Sequence, residues 1–177
     1  MAGEMSENMI AKAQSYIKQH DNEKARYTAD ELAMLEPKDS IVWYVKGKVH
    51  YMMEEYDDAL ASLSKAATIE AERPEIWLAM GYTLIALRRY DEAIQSLEYV
   101  MSTRPDEVES YVALCVVHTI LQESGKAKQY LEQAASIDNN AASRMLTYFY
   151  QNFFAPSNAV SPEAKENIEI LLKKLGA

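Results

Sequence analysis

Apolar and polar residues alternate along this chain with the spacing of amphipathic helices. From Trp77 to Leu84, apolar or small residues stand at i, i+3, i+4 and i+7, which is the buried stripe of a helix. A second stripe of this kind runs from Ala93 to Met101. The polar sequence RRYDE separates the two stripes. The pattern therefore predicts two helices joined by a tight turn.

The same pair of predicted helices recurs along the chain, and each copy is displaced from the previous one by the number of residues between Trp43 and Trp77. The copy before and the copy after these two have aromatic, small and aliphatic residues at the corresponding positions, although the N-terminal copy is less regular. A fixed period of this length predicts a stacked-repeat protein. The matched positions are Trp43 and Trp77, Gly47 and Gly81, Tyr56 and Tyr90, Asp57 and Asp91, Ala59 and Ala93, Ser62 and Ser96, and Leu63 and Leu97.

The pattern resembles the tetratricopeptide repeat, whose first helix reads W-x-x-L-G-x-x-Y and whose second carries an alanine and a bulky residue. The resemblance implies an all-α fold, a right-handed superhelical solenoid of about five helix-turn-helix units that forms a single domain over residues 1–177. We place the repeats at about 6–39, 40–73, 74–107, 108–141 and 142–175, the last with a lengthened turn. Ser161 and Pro162 are expected to cap and begin the final helix.

Five residues depart from the pattern of the family. Lys46 replaces an apolar residue of its stripe, and His50 and His118 stand where an aromatic residue is usual. Ala71 and Asn139 stand in the slot that Pro37 and Pro105 occupy in other repeats. The two histidines are two repeat periods apart, so a whole helical pair should separate them. We interpret them as core or half-buried residues and not as a metal-binding pair.

Composition and charge narrow the function. The net charge of −9 argues against nucleic acid and anionic membranes as partners, since both require clustered Lys and Arg. No apolar run is long enough to cross a bilayer and no secretory signal opens the sequence, so we expect a cytoplasmic protein without membrane insertion. The single cysteine, Cys115, fills the small-residue slot of the third copy of the pattern and is interpreted as a packing residue.

Motifs for chemistry are missing from the sequence. It contains no glycine-rich phosphate loop, no nucleophile elbow and no metal-ligand cluster of recognisable spacing. Carboxylate pairs such as Glu54 with Glu55 and Asp57 with Asp58 stand at predicted turns, where acidic residues are common. The sequence therefore predicts a protein that is not an enzyme and has no catalytic residue, cofactor or metal.

In proteins that this chain resembles, the first helix of each pair lines a concave groove. The residues expected to face the groove here are mostly apolar or aromatic, which favours a binding surface. The two-carboxylate clamp of some family members, made of Lys, Asn and Arg, does not fit these residues. The predicted groove consists of Ile10, Tyr44, Lys48, Tyr51, Leu78, Tyr82, Ile85, Val112, Val116, Leu146, Tyr150 and Phe153.

These features predict a protein-protein interaction scaffold or adaptor that binds an apolar or amphipathic peptide or helix in its groove. Two alternatives remain open. In one, the groove packs against a second copy, and the chain is a self-assembling structural subunit. In the other, the groove is covered by the last helix of the same chain.

Overall fold

The structure is a computed structural model that describes residues 2–151 and 161–176. The predicted all-α fold is confirmed, since helices account for most of these residues and none of them lies in a strand. The helices are α1 (Ala2–Lys18), α2 (Asn22–Leu35), α3 (Ser40–Met52), α4 (Tyr56–Ile69), α5 (Pro74–Ala86), α6 (Tyr90–Thr103), α7 (Val108–Ile120), α8 (Ser124–Phe149) and α9 (Pro162–Leu175).

The repeat period is visible in the bounds of the helices. The first helices of three successive pairs begin at Ser40, Pro74 and Val108, and their second helices follow at equal distances along the chain. The turn inside each pair repeats as well, because one residue in it adopts a positive φ of 56° to 61°. These left-handed residues are His20, Glu54, Arg88 and Gln122.

Short side chains fix several helix starts. The Asp39 carboxylate accepts a hydrogen bond from the Ile41 backbone N–H at 2.8 Å, which satisfies one of the unpaired donors at the start of α3. The Ser161 hydroxyl accepts one from the Ala164 backbone N–H at 3.1 Å, and Pro162 opens α9. The predicted cap and first residue of the final helix are therefore confirmed.

The fourth inter-repeat turn differs from the earlier ones. Pro37 and Pro105 stand in the corresponding slot of two other repeats, whereas this turn carries Asn139. Here helix continues on both sides of a single extended residue, Asp138, with φ −152° and ψ 101°. α8 is therefore two helices joined at a kink. The missing proline alone does not account for this, since Ala71 fills the same slot between the separate helices α4 and α5. The predicted lengthened turn before Ser161, and Phe153 within that region, lie outside the described residues.

The chain divides into two compact units, Met1–Ala93 and Ile94–Ala177, with the boundary inside α6. In unit 1 each helix from α1 to α4 packs against its successor, and α3 also contacts α1 and α5. Alanines of α2 and valines of α3 form the core between the first two pairs. That the five repeats form a single domain stays a prediction.

Gly47 allows the closest packing of α3 against α4. A Cβ atom at this position would lie 2.6 Å from Cγ of Leu63 and 3.2 Å from the backbone oxygen of Ala59. Leu63 is fully buried, so it has little room to move away. The small residue predicted at this slot is thus required by the contact between the two helices.

The aromatic residue near the start of a first helix donates a hydrogen bond to the backbone of the turn that precedes the helix. Nε1 of Trp43 donates to the Pro37 carbonyl oxygen at 2.8 Å, and Nε1 of Trp77 donates to that of Ala71 at 2.6 Å. In the next repeat the Tyr111 hydroxyl makes the equivalent contact with the Pro105 carbonyl, at 3.1 Å. Each ring therefore packs on its helix and hydrogen-bonds the backbone six residues earlier.

In unit 2, α7 packs against both α8 and α9. Every side chain of α7 from Ser110 to Thr119 is buried, including Cys115 and His118. A helix that is buried on all sides must be apolar on all sides, and the sequence YVALCVV meets this requirement.

Replacing Gly47 by Ala should destabilise the fold. The added methyl group overlaps Leu63, and overpacking of this kind costs about 1 to 3 kcal/mol, against about 1 kcal/mol gained from helix propensity. We expect a net loss of up to about 2 kcal/mol in the free energy of unfolding, measured by urea denaturation. Gly125→Ala is the matched control, because nothing lies within 4 Å of its added Cβ. A Gly47→Ala protein as stable as this control would contradict the close contact.

Glu70 should make stability depend on pH. A hydrogen bond from Arg73, and then one from Ser40, lower the pKa of Glu70 from its ordinary value of 4.5. A lowered folded-state pKa gives stability that is present above pH 4.5 and is lost as the pH falls through that pKa. In denaturation series between pH 7 and pH 3, Glu70→Gln should therefore show a shallower loss of stability than the wild type. Glu72→Gln, an exposed neighbour, should retain the wild-type slope.

Cys115 should be unreactive in the folded protein. Burial raises the pKa of its thiol to about 12, so almost no thiolate is present at pH 8. We expect a thiol reagent to modify Cys115 only as fast as the protein unfolds, and rapidly in denaturant. A variant with Cys115→Ala and Leu121→Cys is the control, since Leu121 is exposed and that thiol should react at once. Equal native rates in the two proteins would exclude a packing role.

Candidate functional site

Seven of the predicted groove residues lie on three first helices of unit 1. α3 contacts both α1 and α5, so the three helices are neighbours in space. All seven side chains are half-buried or exposed, which leaves part of each available to a ligand. We call this surface the first-helix face, and it consists of Ile10 on α1, Tyr44, Lys48 and Tyr51 on α3, and Leu78, Tyr82 and Ile85 on α5.

The rings of this face are held in place by neighbouring side chains. Ile10 and Tyr44 pack at the edge of the unit 1 core, and the ammonium of Lys48 lies 5.4 Å from the centroid of the Tyr44 ring. The Tyr51 ring meets that of Tyr56 edge to face, with centroids 5.5 Å apart. The face therefore offers ordered aromatic and aliphatic surface with one cationic group.

The remaining predicted groove residues, in unit 2, do not form an accessible strip. Val112, Val116 and Leu146 are between 0% and 1% exposed, because unit 2 packs closely around α7 and α9 contacts both α7 and α8. Tyr150 is half-buried and its hydroxyl donates a hydrogen bond to Glu169 of α9. The expectation of a continuous exposed strip is therefore corrected at the three buried residues. Phe153 lies outside the described residues.

Three of the departures from the repeat pattern, at Lys46, His50 and His118, are explained by ion pairs and hydrogen bonds. Nζ of Lys46 lies 2.7 Å from a carboxylate oxygen of Asp30, on the preceding helix α2. Nδ1 of His50 lies 2.6 Å from Oε2 of Glu55, which joins the end of α3 to the start of α4. In unit 2 the equivalent His118 and Glu123 are 2.7 Å apart. The sequence reasoning missed these pairs, although a histidine five residues before a glutamate occurs in both repeats.

Beside His50 lies an open pocket of about 420 Å³. Its lining mixes acidic and basic residues, among them Arg26, Asp58 and Lys65. The hydrogen bond with His50, and then the charge of Arg26, lower the pKa of Glu55 from its ordinary value of 4.5. Ligand atoms of His50, Glu55 and Asp58 all lie within 4.8 Å of one another. Sequence reasoning expected no metal site and did not bring these three residues together.

Among the residues that the structure describes, none of the helices is both long enough and apolar enough to span a membrane.

Two family models match the sequence in separate regions. The model for subunit 3 of the anaphase-promoting complex, or cyclosome, matches residues 18–100. A tetratricopeptide-repeat model matches residues 108–140. A comparison with curated proteins gave no match.

Solved structures share the fold at low sequence identity. PilF of Pseudomonas aeruginosa is 18% identical over 99% of this chain and 78% of its own, with a TM-score of 0.75. A crystal structure of MamA is 16% identical over 98% of this chain and 91% of its own, with a TM-score of 0.70. The first TPR of Spaghetti (RPAP3), bound to the HSP90 peptide SRMEEVD, is 16% identical over 66% of this chain and 93% of its own, with a TM-score of 0.63.

Proposed function

Because this chain belongs to the tetratricopeptide-repeat family, we propose that it is a non-enzymatic scaffold or adaptor whose first-helix face binds a segment of another protein. The observation that carries the proposal is the partial exposure of aromatic and aliphatic side chains on three neighbouring first helices of unit 1. Contiguous apolar surface is unfavourable in water, and a partner that covers this face would gain the free energy of removing its apolar area from water.

The chemistry of the face favours an apolar or amphipathic segment. Tyr44, Tyr51 and Tyr82 combine large apolar rings with a hydroxyl group, which is the combination enriched at protein interfaces. A helix would supply anchors at i, i+3, i+4 and i+7, and an extended peptide would supply alternate side chains. Either ligand gains most where its anchors exclude water from the rings.

A peptide ligand is supported by the likeness to the first TPR of Spaghetti (RPAP3), which was solved with the HSP90 peptide SRMEEVD. The end of that peptide, EEVD, is strongly acidic, whereas the first-helix face has Lys48 as its cationic member. We therefore propose that recognition here depends on apolar anchors. The net charge of −9 favours basic residues beside those anchors, through faster association.

A second copy of this chain is the other candidate occupant of the face. The same apolar side chains would then be buried in a symmetric contact between protomers. Light scattering after size-exclusion chromatography, over a range of protein concentrations, distinguishes the two. A stable dimer that the substitutions below dissociate would replace the adaptor by a self-assembling subunit.

The double variant Tyr44→Ala with Tyr82→Ala should lose its partner and keep its fold. Aromatic anchors at the centre of an interface contribute about 2 kcal/mol or more each, or a roughly thirtyfold change in affinity per site. We expect proteins captured by the wild type, quantified by mass spectrometry, to be depleted with the double variant. Tyr150 is left unchanged, because it hydrogen-bonds Glu169 within unit 2.

Tyr27→Ala is the matched control, since Tyr27 is 71% exposed and lies on the second helix α2. It should capture the same proteins as the wild type. Circular dichroism and thermal unfolding of the double variant establish that it is folded. A folded double variant that retains every captured protein would show that the binding surface lies elsewhere.

A further inference from the structure

In each of the first four repeats, two sequence positions flank the turn between the first and second helix, and in three of these repeats they hold opposite charges. The slots are three residues apart, one at the residue before the second helix and one in its first turn. Ion pairs at the two slots are short and span i to i+3 on the helix. They join Asp21 to Lys24 at 2.6 Å, Arg89 to Glu92 at 2.6 Å, and Glu123 to Lys126 at 2.9 Å.

In the second repeat both slots are acidic. Glu55 and Asp58 replace the ion pair, and the ring of His50 lies beside them with its side chain only 10% exposed. One ligand atom from each of the three residues falls within 4.8 Å of the other two. Two carboxylates held at this separation repel each other, and the repulsion is relieved by a cation between them.

The neighbouring basic residues are paired in other ways and do not lie between the carboxylates of Glu55 and Asp58. Arg26 binds Oε1 of Glu55 at 3.0 Å, which leaves Oε2 directed at His50. Lys46 pairs with Asp30 at 2.7 Å. In the part of the chain that the structure describes, Asp58 makes no hydrogen bond or ion pair of its own.

The next basic side chain of the pocket, Lys65, is engaged elsewhere. Its ammonium lies 3.6 Å from the centroid of the Trp43 ring. Lys65 therefore makes no ion pair with Asp58, although both line the pocket.

The fourth repeat has the same histidine and glutamate without the third ligand. Lys126 occupies the slot of Asp58 and binds Glu123 at 2.9 Å. The Tyr130 ring stacks on His118, with centroids 5.3 Å apart and planes 12° apart. In the second repeat the slot of Tyr130 holds Ser62, which lines the open pocket beside His50. The histidine is thus covered in one repeat and borders an accessible pocket in the other.

We propose that His50, Glu55 and Asp58 form a binding site for a divalent first-row transition cation such as Zn²⁺. One imidazole nitrogen with two carboxylate oxygens is a donor set that suits these metals better than Ca²⁺ or Mg²⁺, which prefer oxygen alone. Three protein ligands leave a fourth position for water on the side of the pocket. Arg26 would hold Glu55 through its other oxygen, as outer-shell partners of metal ligands do.

The geometry allows the metal with a small adjustment. Ligand atoms about 2.0 to 2.1 Å from a tetrahedral zinc ion are about 3.3 Å from one another. Nδ1 of His50 and Oε2 of Glu55, now 2.6 Å apart, must separate by a fraction of an ångström, and the other separations are within 4.8 Å. The exposed carboxylate of Asp58 can follow by rotation of its side chain.

Zinc titration of the full chain tests this site. Protein freed of metal by a chelator is titrated with zinc sulfate at pH 7.5 in a calorimeter, and we expect one equivalent to bind per chain. Asp58→Asn and His50→Gln should each weaken binding by about tenfold or more. Zinc at about a hundredfold above the dissociation constant should raise the wild-type unfolding midpoint by about 5 °C, and EDTA should reverse the shift.

Two controls separate the site from general surface binding. Asp57→Asn removes an exposed acid in the same helical turn, and His118→Gln removes the histidine of the fourth repeat; both should bind zinc as the wild type does. Asp58→Asn replaces an exposed side chain, so it tests the site even if His50→Gln fails to fold. Failure of the wild type to bind zinc, or equal binding by Asp58→Asn and the wild type, would overturn the proposal.

Discussion

The contact between α3 and α4 at Gly47 is the constraint on which the arrangement of unit 1 depends. Because a Cβ there would come within 2.6 Å of Leu63, the two helices approach more closely than side chains would allow. The connection between helices this close must reverse the chain within Met53–Glu55, and Glu54 adopts a left-handed φ of 61° to do so. The turn places the end of α3 against the start of α4, so that His50 and Glu55 are within hydrogen-bond distance of each other.

The same contact determines which residues of α3 face outward. Gly47 and the buried Val42, Val45 and Val49 are directed into the unit, so the helical period leaves Tyr44 and Lys48 on other sides of the helix. α5 is built on the same slots one repeat later, so Leu78 and Tyr82 are partly exposed in the same way. The binding face we propose therefore consists of the residues of the first helices that are not part of the buried core stripe.

The sequence was sufficient to predict features that depend on local spacing. The repeat period predicts the helix pairs, and the small-residue slot at Gly47 and the cap at Ser161 follow from helix geometry and capping chemistry. Local spacing did not decide whether Val112 and Leu146 are buried, and cover by the last helix of the chain was one of the alternatives that the sequence left open. Their slots are open in a regular repeat, and only the packing of α9 against α7 and α8 distinguishes unit 2 from that pattern.

The cluster of His50, Glu55 and Asp58 was missed for a different reason. Each residue alone has an ordinary explanation, a histidine in an aromatic slot and two acids at a helix N-terminus, where the helix dipole favours negative charge. Their proximity depends on the turn between α3 and α4, which brings residues of two helices together.

In a repeat protein, such a cluster can be compared with the residues at the same positions of the other repeats. The turn is built four times with the same backbone, so a residue required by the fold should recur in kind at the same slot. In the first, third and fourth repeats the slots of Glu55 and Asp58 hold an ion pair, so the turn accommodates opposite charges there. The second repeat holds two acids instead, of which Glu55 pairs with Arg26 from the preceding pair of helices and Asp58 makes no ion pair among the described residues. This difference falls in the turn whose histidine borders an open pocket, whereas the histidine of the fourth repeat is covered by Tyr130, and the proposed zinc site rests on that coincidence.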